Sequence, residues 1–520
     1  MYTTRFQMTV PRWLRQQRPQ DGEEAVSLIG DDIEKREDDG HRITALPDAS
    51  VYQLTPRTDN SSFLNRILSI VGAVVNTILH ALRPSFFGAR TPRKLHPTSY
   101  LDGLRGCAAF IVFLHHSTQS FYRVVRPGYG SSAMATHPLS LPILRVLFAG
   151  GPMVSIFFVI SGYVLSTKPL KLARLGRTAE VYECVASSTF RRGPRLYIPC
   201  LTATLLIALA AQAGLTDVQA PRVYLPSPDG LYAQLYRWAS ASSWFISPFA
   251  SEHWFEPNTW TIPIEFKGSL LVFLSCMGLA KSSSRFRLGF LLCMAGFWLW
   301  HGWWDMFLFS MGMACADLHF VHTPIPLPTD GAAEGMARPP MIRRHGIRTR
   351  LLHAFSILLC VYLLGCPEGD EGGSTTPGYI TLTTTLTPPG WEGHFGPGRW
   401  WPVLSSVLLV LTLDHAGPES IYQRVFVSNF AQWLGDISFA LYLCHAAVLY
   451  SVSSRAVRWG CAIMSVDYGT GINGQGGPSY FVVLVGATMI TVPILVWMSE
   501  VLTAVVDKGA VELARRMRAW

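Results

Sequence analysis

The chain has 520 residues, 49 % of them hydrophobic and 15 % charged, with a formal net charge of +9 and ten cysteines. So apolar and aromatic a chain is neither disordered nor fibrous; it reads as an all-α integral membrane protein. The cysteines are scattered singly, with no CxxC pair and no His/Cys cluster at zinc spacing, so no disulfide framework and no metal site is expected.

Residues 1–95 form a polar N-terminal region, expected to be largely disordered and cytosolic, with a charge run at 31–39. No cleavable signal peptide is expected, because the opening stretch is arginine-rich and lacks an early apolar core. Within this region 67–82 is apolar but short for a span, and is expected to lie in the membrane interface. The membrane domain covers 96–506. Its first helix is expected at 99–120. Further apolar segments recur near 145–166, 196–214, 261–281, 286–301, 303–320, 351–366, 401–414, 432–452 and 479–505, giving about ten transmembrane helices. The segments between 286 and 320 read as a hairpin turning at His301-Gly302. Loops near 215–260 and 366–400 are rich in Pro, Gly, Ser and Thr, with no core of their own. No internal repeat is visible.

Charge orients these segments. With the start of the first span in the cytosol, Arg90, Arg93 and Lys94 precede it. Lys168, Lys171, Arg174, Arg177, Arg191, Arg192 and Arg195 fall between spans two and three, and Lys281, Arg285 and Arg287 follow span four. Arg338, Arg343, Arg344, Arg348 and Arg350 follow span six, and the basic tail 507–520 ends the chain. The opposite loops carry Asp217, Asp229, Glu252, Glu256, Glu368, Asp370 and Glu371 instead. This positive-inside pattern implies an even number of spans and both termini in the cytosol. It accounts for the net charge through the lipid bilayer and leaves no role for nucleic acid.

The first span carries the chemistry. It holds Asp102, Arg105, His115 and His116 within an otherwise apolar helix, and ionisable groups there are functional by default. At about 100° per residue, Arg105 and His116 share a face to within about 20°, Asp102 lies about 40° away, and His115 is turned about 80° aside. A rise of about 1.5 Å per residue separates Arg105 from His116 by roughly 16 Å. A neutral buried imidazole suits a general base towards a hydroxyl, and an arginine at the cytosolic mouth suits a phosphate-bearing donor. Glu265 lies about five residues into the fourth span, where a carboxylate needs a partner: His116, Arg105 or a water cavity. His445, in mid-span, reads equally as relay or as core hydrogen bonder.

L-D-G-L-R-G-C-A-A-F-I-V-F-L-H-H (101–116) resembles the signature of the membrane acyltransferase 3 family, in which ten residues separate arginine from histidine. F-F-V-I-S-G-Y-V-L (157–165), F-R-R-G-P-R-L-Y-I-P (190–199), W-T-I-P-I-E-F (260–266) and L-G-D-I-S-F-A-L-Y-L-C-H (434–445) are similar to further family elements, in the same order. Phe266 and Lys267 depart from the family's second acidic or amide position and bring the chain closer to fungal-like members.

The resemblance implies an O-acyltransferase of about ten helices that moves an acyl group, acetyl in the common case, from acyl-CoA to a hydroxyl. The acceptor would be a carbohydrate, a lipid or a secondary metabolite. It implies His116 as catalytic base, with His115 its rival, and Arg105 as the residue that positions the donor or polarises the site. Arg191, Arg192 and Arg195 would belong to a cytosolic loop holding the nucleotide phosphates, and Glu265 would orient the imidazole or take up its proton. Asp102, Ser161 and His445 would have structural or relay roles, with Ser161-Gly162 allowing close helix approach. Direct and ping-pong transfer both remain open, and a transporter or flippase using the same buried His/Arg/Glu cavity is the alternative.

Overall fold

The computed structural model describes residues 95–217, 225–247, 250, 252–322, 346–368, 372–388, 391 and 397–518, all in the unit Arg66–Trp520. The expectations for residues 1–94, including the interfacial stretch 67–82, and those resting on Arg338, Arg343, Arg344, Asp370 and Glu371 lie outside the described residues. Within the described residues every regular element is helical, apart from one isolated bridge between His253 and Glu256.

The long helices are α1 (Ser99–Phe121), α2 (Gly150–Arg174), α3 (Thr178–Gln212), α4 (Gly230–Phe245), α5 (Thr261–Gly278), α6 (Ser284–Trp300), α7 (Trp304–His322), α8 (Ile347–Leu364), α9 (Trp400–Ala416), α10 (Asn429–Val448), α11 (Ser454–Met464), α12 (Pro478–Leu502) and α13 (Lys508–Arg518). Six stretches are long and apolar enough to cross a membrane: α2, α3, Pro257–Gly278, α8, Asn429–Met464 and Pro478–Arg516. Helices α1, α6, α7 and α9 stand at the other four positions where a span is expected, without meeting that measure. The α6–α7 hairpin turns at His301-Gly302 as expected, with Gly302 at φ +74°, a conformation that glycine alone adopts readily.

Three expectations are corrected. The loop 215–260 contains a 16-residue helix, α4, whose Gln234 and Trp238 bond back to Ala208 O and Thr204 Oγ1 of α3. Arg191, Arg192 and Arg195 do not lie in a loop: α3 runs unbroken for 35 residues through Gly193-Pro194, and only 175–177 separate it from α2. At about 1.5 Å per residue such a helix is about 52 Å long, more than the ~30 Å of a bilayer core, so part of it projects beyond the apolar layer. Asp305 and Asp317 bracket the sixth expected span, where solvation at the interface is expected for both, and Asp317 departs from it. Its carboxylate is buried and clamps Arg174 (2.9 Å) and Arg287 (2.7 Å), joining α2, α6 and α7.

Two glycine seams hold the bundle. Helices α1 and α10 run parallel, since Asp102 and Gly106 meet Gly435 while His116 meets His445. A Cβ on Gly435 would come within 2.5 Å of the Asp102 carbonyl oxygen, and Cβ atoms on Gly106 or Gly103 would collide with backbone of 426–435. The second seam joins α2 to α7, where Gly162 lies on the Phe309 carbonyl and Gly312 on that of Val159. Small residues let helices in a membrane pack backbone to backbone.

Replacing Gly435 with Ala should therefore lower the thermal midpoint of the detergent-solubilised protein, an overpacking penalty of about 1–3 kcal/mol. Gly289→Ala on α6, where a Cβ meets nothing within 4 Å, should be neutral or slightly stabilising.

Candidate active site

The α1–α10 seam fixes a cation at one end and a pair of imidazoles at the other. At the first end Arg105 Nε donates to Ser438 Oγ (3.0 Å) and Nη2 to the Gly435 carbonyl (3.1 Å), with Asp102 Oδ1 3.6 Å away. Arg105 thus reads the backbone of α10 at the seam glycine itself, and Asp102 serves as its counter-ion one turn earlier on α1. The guanidinium keeps 39 % of its side-chain surface accessible, so it is anchored without being sealed.

At the other end His116 and His445 stack with ring centroids 5.1 Å apart at 27°. His116 Nδ1 lies 3.2 Å from Gln119 Oε1, three residues on and on the same helix face. His445 Nδ1 donates to the Tyr442 carbonyl at 2.6 Å; a carbonyl only accepts, so the proton sits on Nδ1 and the lone pair on Nε2. That Nε2 is buried and has no hydrogen-bond partner among the described residues. His115 turns elsewhere: its Nδ1 donates to Phe148 O at 2.7 Å and its ring lies against Gly150, edge-on to His116. Helix phase separates the two histidines as expected, and His116 is the one stacked on His445.

Tyr442 ties this end to α5. Its hydroxyl donates to Asn258 O (2.7 Å) and accepts from Thr261 Oγ1 (3.1 Å). The preceding loop is knitted by His253, whose Nδ1 accepts from the Phe255 N–H (3.2 Å) and whose Nε2 donates to Ser242 Oγ (3.0 Å). Burial pulls the His253 imidazole down from 6.5 to about 4, because the charged ring would be desolvated.

Glu265 is placed differently from the expectation. Its Oε1 accepts from Ser161 Oγ at 2.5 Å and pairs closely with Arg192 Nη2, while Arg192 Nε donates to Ser269 Oγ (2.7 Å). Neither His116 nor Arg105 bonds it. The reason is rotational: Arg192 on α3 and Ser161 on α2 both face α5 where Glu265 projects, and a buried carboxylate takes the nearest cation. Ser161 is thereby a carboxylate donor, and it is Gly162 that permits the close helix approach.

Arg192 is accordingly buried, and Arg191 bonds its own helix at Ser187 O (3.1 Å). Arg195 is exposed, and its charge acts on both Arg105 and Arg192, so three guanidiniums converge on one region. No phosphate-binding loop is built by these residues; a helix face is.

Sequence reasoning missed Gln119, Tyr442 and Asp414. The first two stand three residues from a singled-out histidine, a helical spacing that was available to find them. Asp414 accepts from Tyr100 Oη (3.0 Å), Tyr163 Oη (3.0 Å) and His319 Nδ1 (2.9 Å), joining four helices, and no local pattern announces it.

Known proteins resemble the chain along most of its length. Residues 98–498 match the acyltransferase 3 family, described as an acyltransferase domain. The chain is 33 % identical over 417 residues to the O-acetyltransferase PaAT-1 of Phomopsis amygdali, covering 75 % of this chain and 80 % of that protein. It is 25 % identical over 418 residues to the acyltransferase clz18 of Cochliobolus lunatus, covering 70 % and 85 % respectively. It is 24 % identical over 425 residues to the acyltransferase R4 of a Phoma species, covering 72 % and 88 %. No solved structure matches significantly.

Two outcomes follow from the geometry. Glu265→Ala should cost about 3–5 kcal/mol of stability by stranding Arg192, and the joint change of both to Leu should recover much of it, read from detergent melting curves. The His253 loop is favoured by the neutral ring, so its stability is full above about pH 6.5 and falls as pH drops towards 4; proteolysis near 252–256 should rise over that window and lose the pH step in His253→Gln. With its helical bundle, its glycine seam and its matched motifs, the chain belongs to the acyltransferase 3 family and is a multi-pass membrane O-acyltransferase.

Proposed function

We propose that the chain moves an acyl group, acetyl in the first instance, from acyl-CoA to a hydroxyl of a carbohydrate, lipid or secondary-metabolite acceptor. The observation that carries this reading is that the two ends of one parallel helix pair hold Arg105 and the His116–His445 stack. A separation of roughly 16 Å along α1 demands a donor with an anionic head and a long arm, which an acyl-CoA has. The acetyl group follows the name of the Phomopsis relative.

In this mechanism the donor's phosphates meet Arg195 and Arg105, with Arg192 held behind them by Glu265. The basic residues at the ends of α2, α6 and α13 support a cytosolic position for this end and for the C-terminus. The acyl-thioester end reaches His116. With Gln119 accepting from Nδ1–H, the Nε2 lone pair of His116 removes the proton from the acceptor hydroxyl. The alkoxide oxygen bonds the thioester carbonyl carbon, the carbon–sulfur bond breaks, and the imidazolium returns its proton to the departing thiolate, leaving ester and free CoA. His445, fixed in its Nδ1–H form, lays its ring against His116 and supports the transient cation through its π face. Attack by His116 itself on the thioester would give the ping-pong variant of the same site.

The test uses purified protein in liposomes with labelled acetyl-CoA, reading CoA release together with label on protein and on added glycan or lipid extracts. His116→Ala should lower transfer by about 10²–10⁴-fold with normal folding; an equally active variant overturns the mechanism. Arg195→Ala should raise the donor KM with little change in kcat. Label that stays on the wild-type protein and is chased by acceptor would favour ping-pong transfer.

A further inference from the structure

The acyl-transfer reading leaves the carboxylate of Asp507, at the arginine end, unused. Helix α12 does not stop at Leu502: a single π-helical turn, Thr503–Asp507, leads straight into α13. Such turns insert a residue into the helical ladder and recur at functional sites. The turn packs against α3 and α10, and α13 lies along α3 with Ala510 and Ala514 buried. Asp507 is thereby carried to the end of the bundle that holds Arg105 and Arg195, whose charges act on it.

The three guanidiniums there lie in the field of four carboxylates, Asp102, Glu265, Asp436 and Asp507, and two of the guanidiniums are paired. Arg105 has Asp102 at 3.6 Å, and Arg192 is bound to Glu265. The third pairing is not closed. Among the described residues Asp507 and Arg195 each make no hydrogen bond and no ion pair within 4.0 Å, although the charge of Arg195 acts on Asp507. In the same turn the Thr503 hydroxyl is buried without a hydrogen-bond partner. Arg195 is also the exposed member of the three, so an anion arriving from solvent meets it first.

We propose that Asp507 is a built-in competitor for the anionic head of the acyl donor, occupying the field of Arg195 and Arg105 until donor phosphate takes it over. This rests on the acyl-CoA reading above. Without donor, the carboxylate offsets the repulsion among converging guanidiniums and repels stray anions. With donor bound, the phosphates take the guanidiniums, and the like charge of Asp507 opposes them. The residue therefore weakens donor binding, which favours release of CoA after each transfer. A carboxylate that only stabilised the arginine cluster would do the reverse, because its loss would loosen the site.

The test is equilibrium binding of CoA to the purified full chain in detergent, comparing wild type, Asp507→Asn, Asp507→Ser, Arg195→Ala and the double variant Asp507→Asn/Arg195→Ala. Dephospho-CoA serves as the less anionic probe, and a melting curve checks each variant. Asp507→Asn and Asp507→Ser should tighten CoA binding roughly three- to tenfold at low salt. The gain should be smaller for dephospho-CoA, shrink as salt is raised, and be much reduced when Arg195 is absent. Unchanged or weaker binding in both single Asp507 variants overturns the inference while leaving the donor reading intact. So does a gain that ignores salt and Arg195. Wild-type protein that binds no CoA and releases none from acetyl-CoA overturns both.

Discussion

The site depends on how closely α1 and α10 approach. Gly106 and Gly435 remove the side chains that would hold the two backbones apart, and the parallel direction of the helices keeps them in register from Asp102 to His116. Arg105 can bond the Gly435 carbonyl only because that carbonyl is within reach of a side chain already committed to the seam. The same approach sets the distance between the His116 and His445 rings. A wider seam would leave the charged residues of α1 in an apolar layer with no partners, where each is expensive.

Much of this was legible because it follows from one helix. The shared face of Arg105 and His116, and the divergence of His115, need only a period of 3.6 residues, and the structure keeps both. The hairpin at His301-Gly302 was legible from a residue able to take positive φ between two apolar runs. What could not be read was which charges meet across helices. Glu265 and Arg192 are 73 positions apart, and nothing in either segment says that α3 and α2, rather than α1, face that side of α5. The sequence around Gly193-Pro194 also reads as a break, yet a helix packed against α4, α5 and α13 continues through it. Proline there removes one donor and leaves a carbonyl free, a local cost that tertiary packing offsets.

The buried ion pairs explain why the bundle tolerates so many charges. Glu265 with Arg192, and Asp317 with Arg174 and Arg287, each join different helices through one carboxylate. In a low dielectric such pairs add little net stability over a well-packed apolar contact, but a misplaced helix would leave a bare charge. They therefore act chiefly on which packing is allowed. That role explains why Glu265, which looks catalytic by position, sits away from the imidazoles.

The order in which the chain is made gives the α1–α10 seam a further meaning. Arg105 and Ser438 are 333 positions apart, and the Tyr100–Asp414 bond spans 314. A ribosome delivers α1 to the bilayer long before its partners exist, so its arginine, aspartate and histidines must wait through the insertion of eight further long helices and more. During synthesis the first helix is the least satisfied part of the protein, and it becomes settled only when α10 arrives. A nascent fragment lacking α10 thus holds only half of each end of the site, and the arrangement is completed all at once when α10 packs against α1.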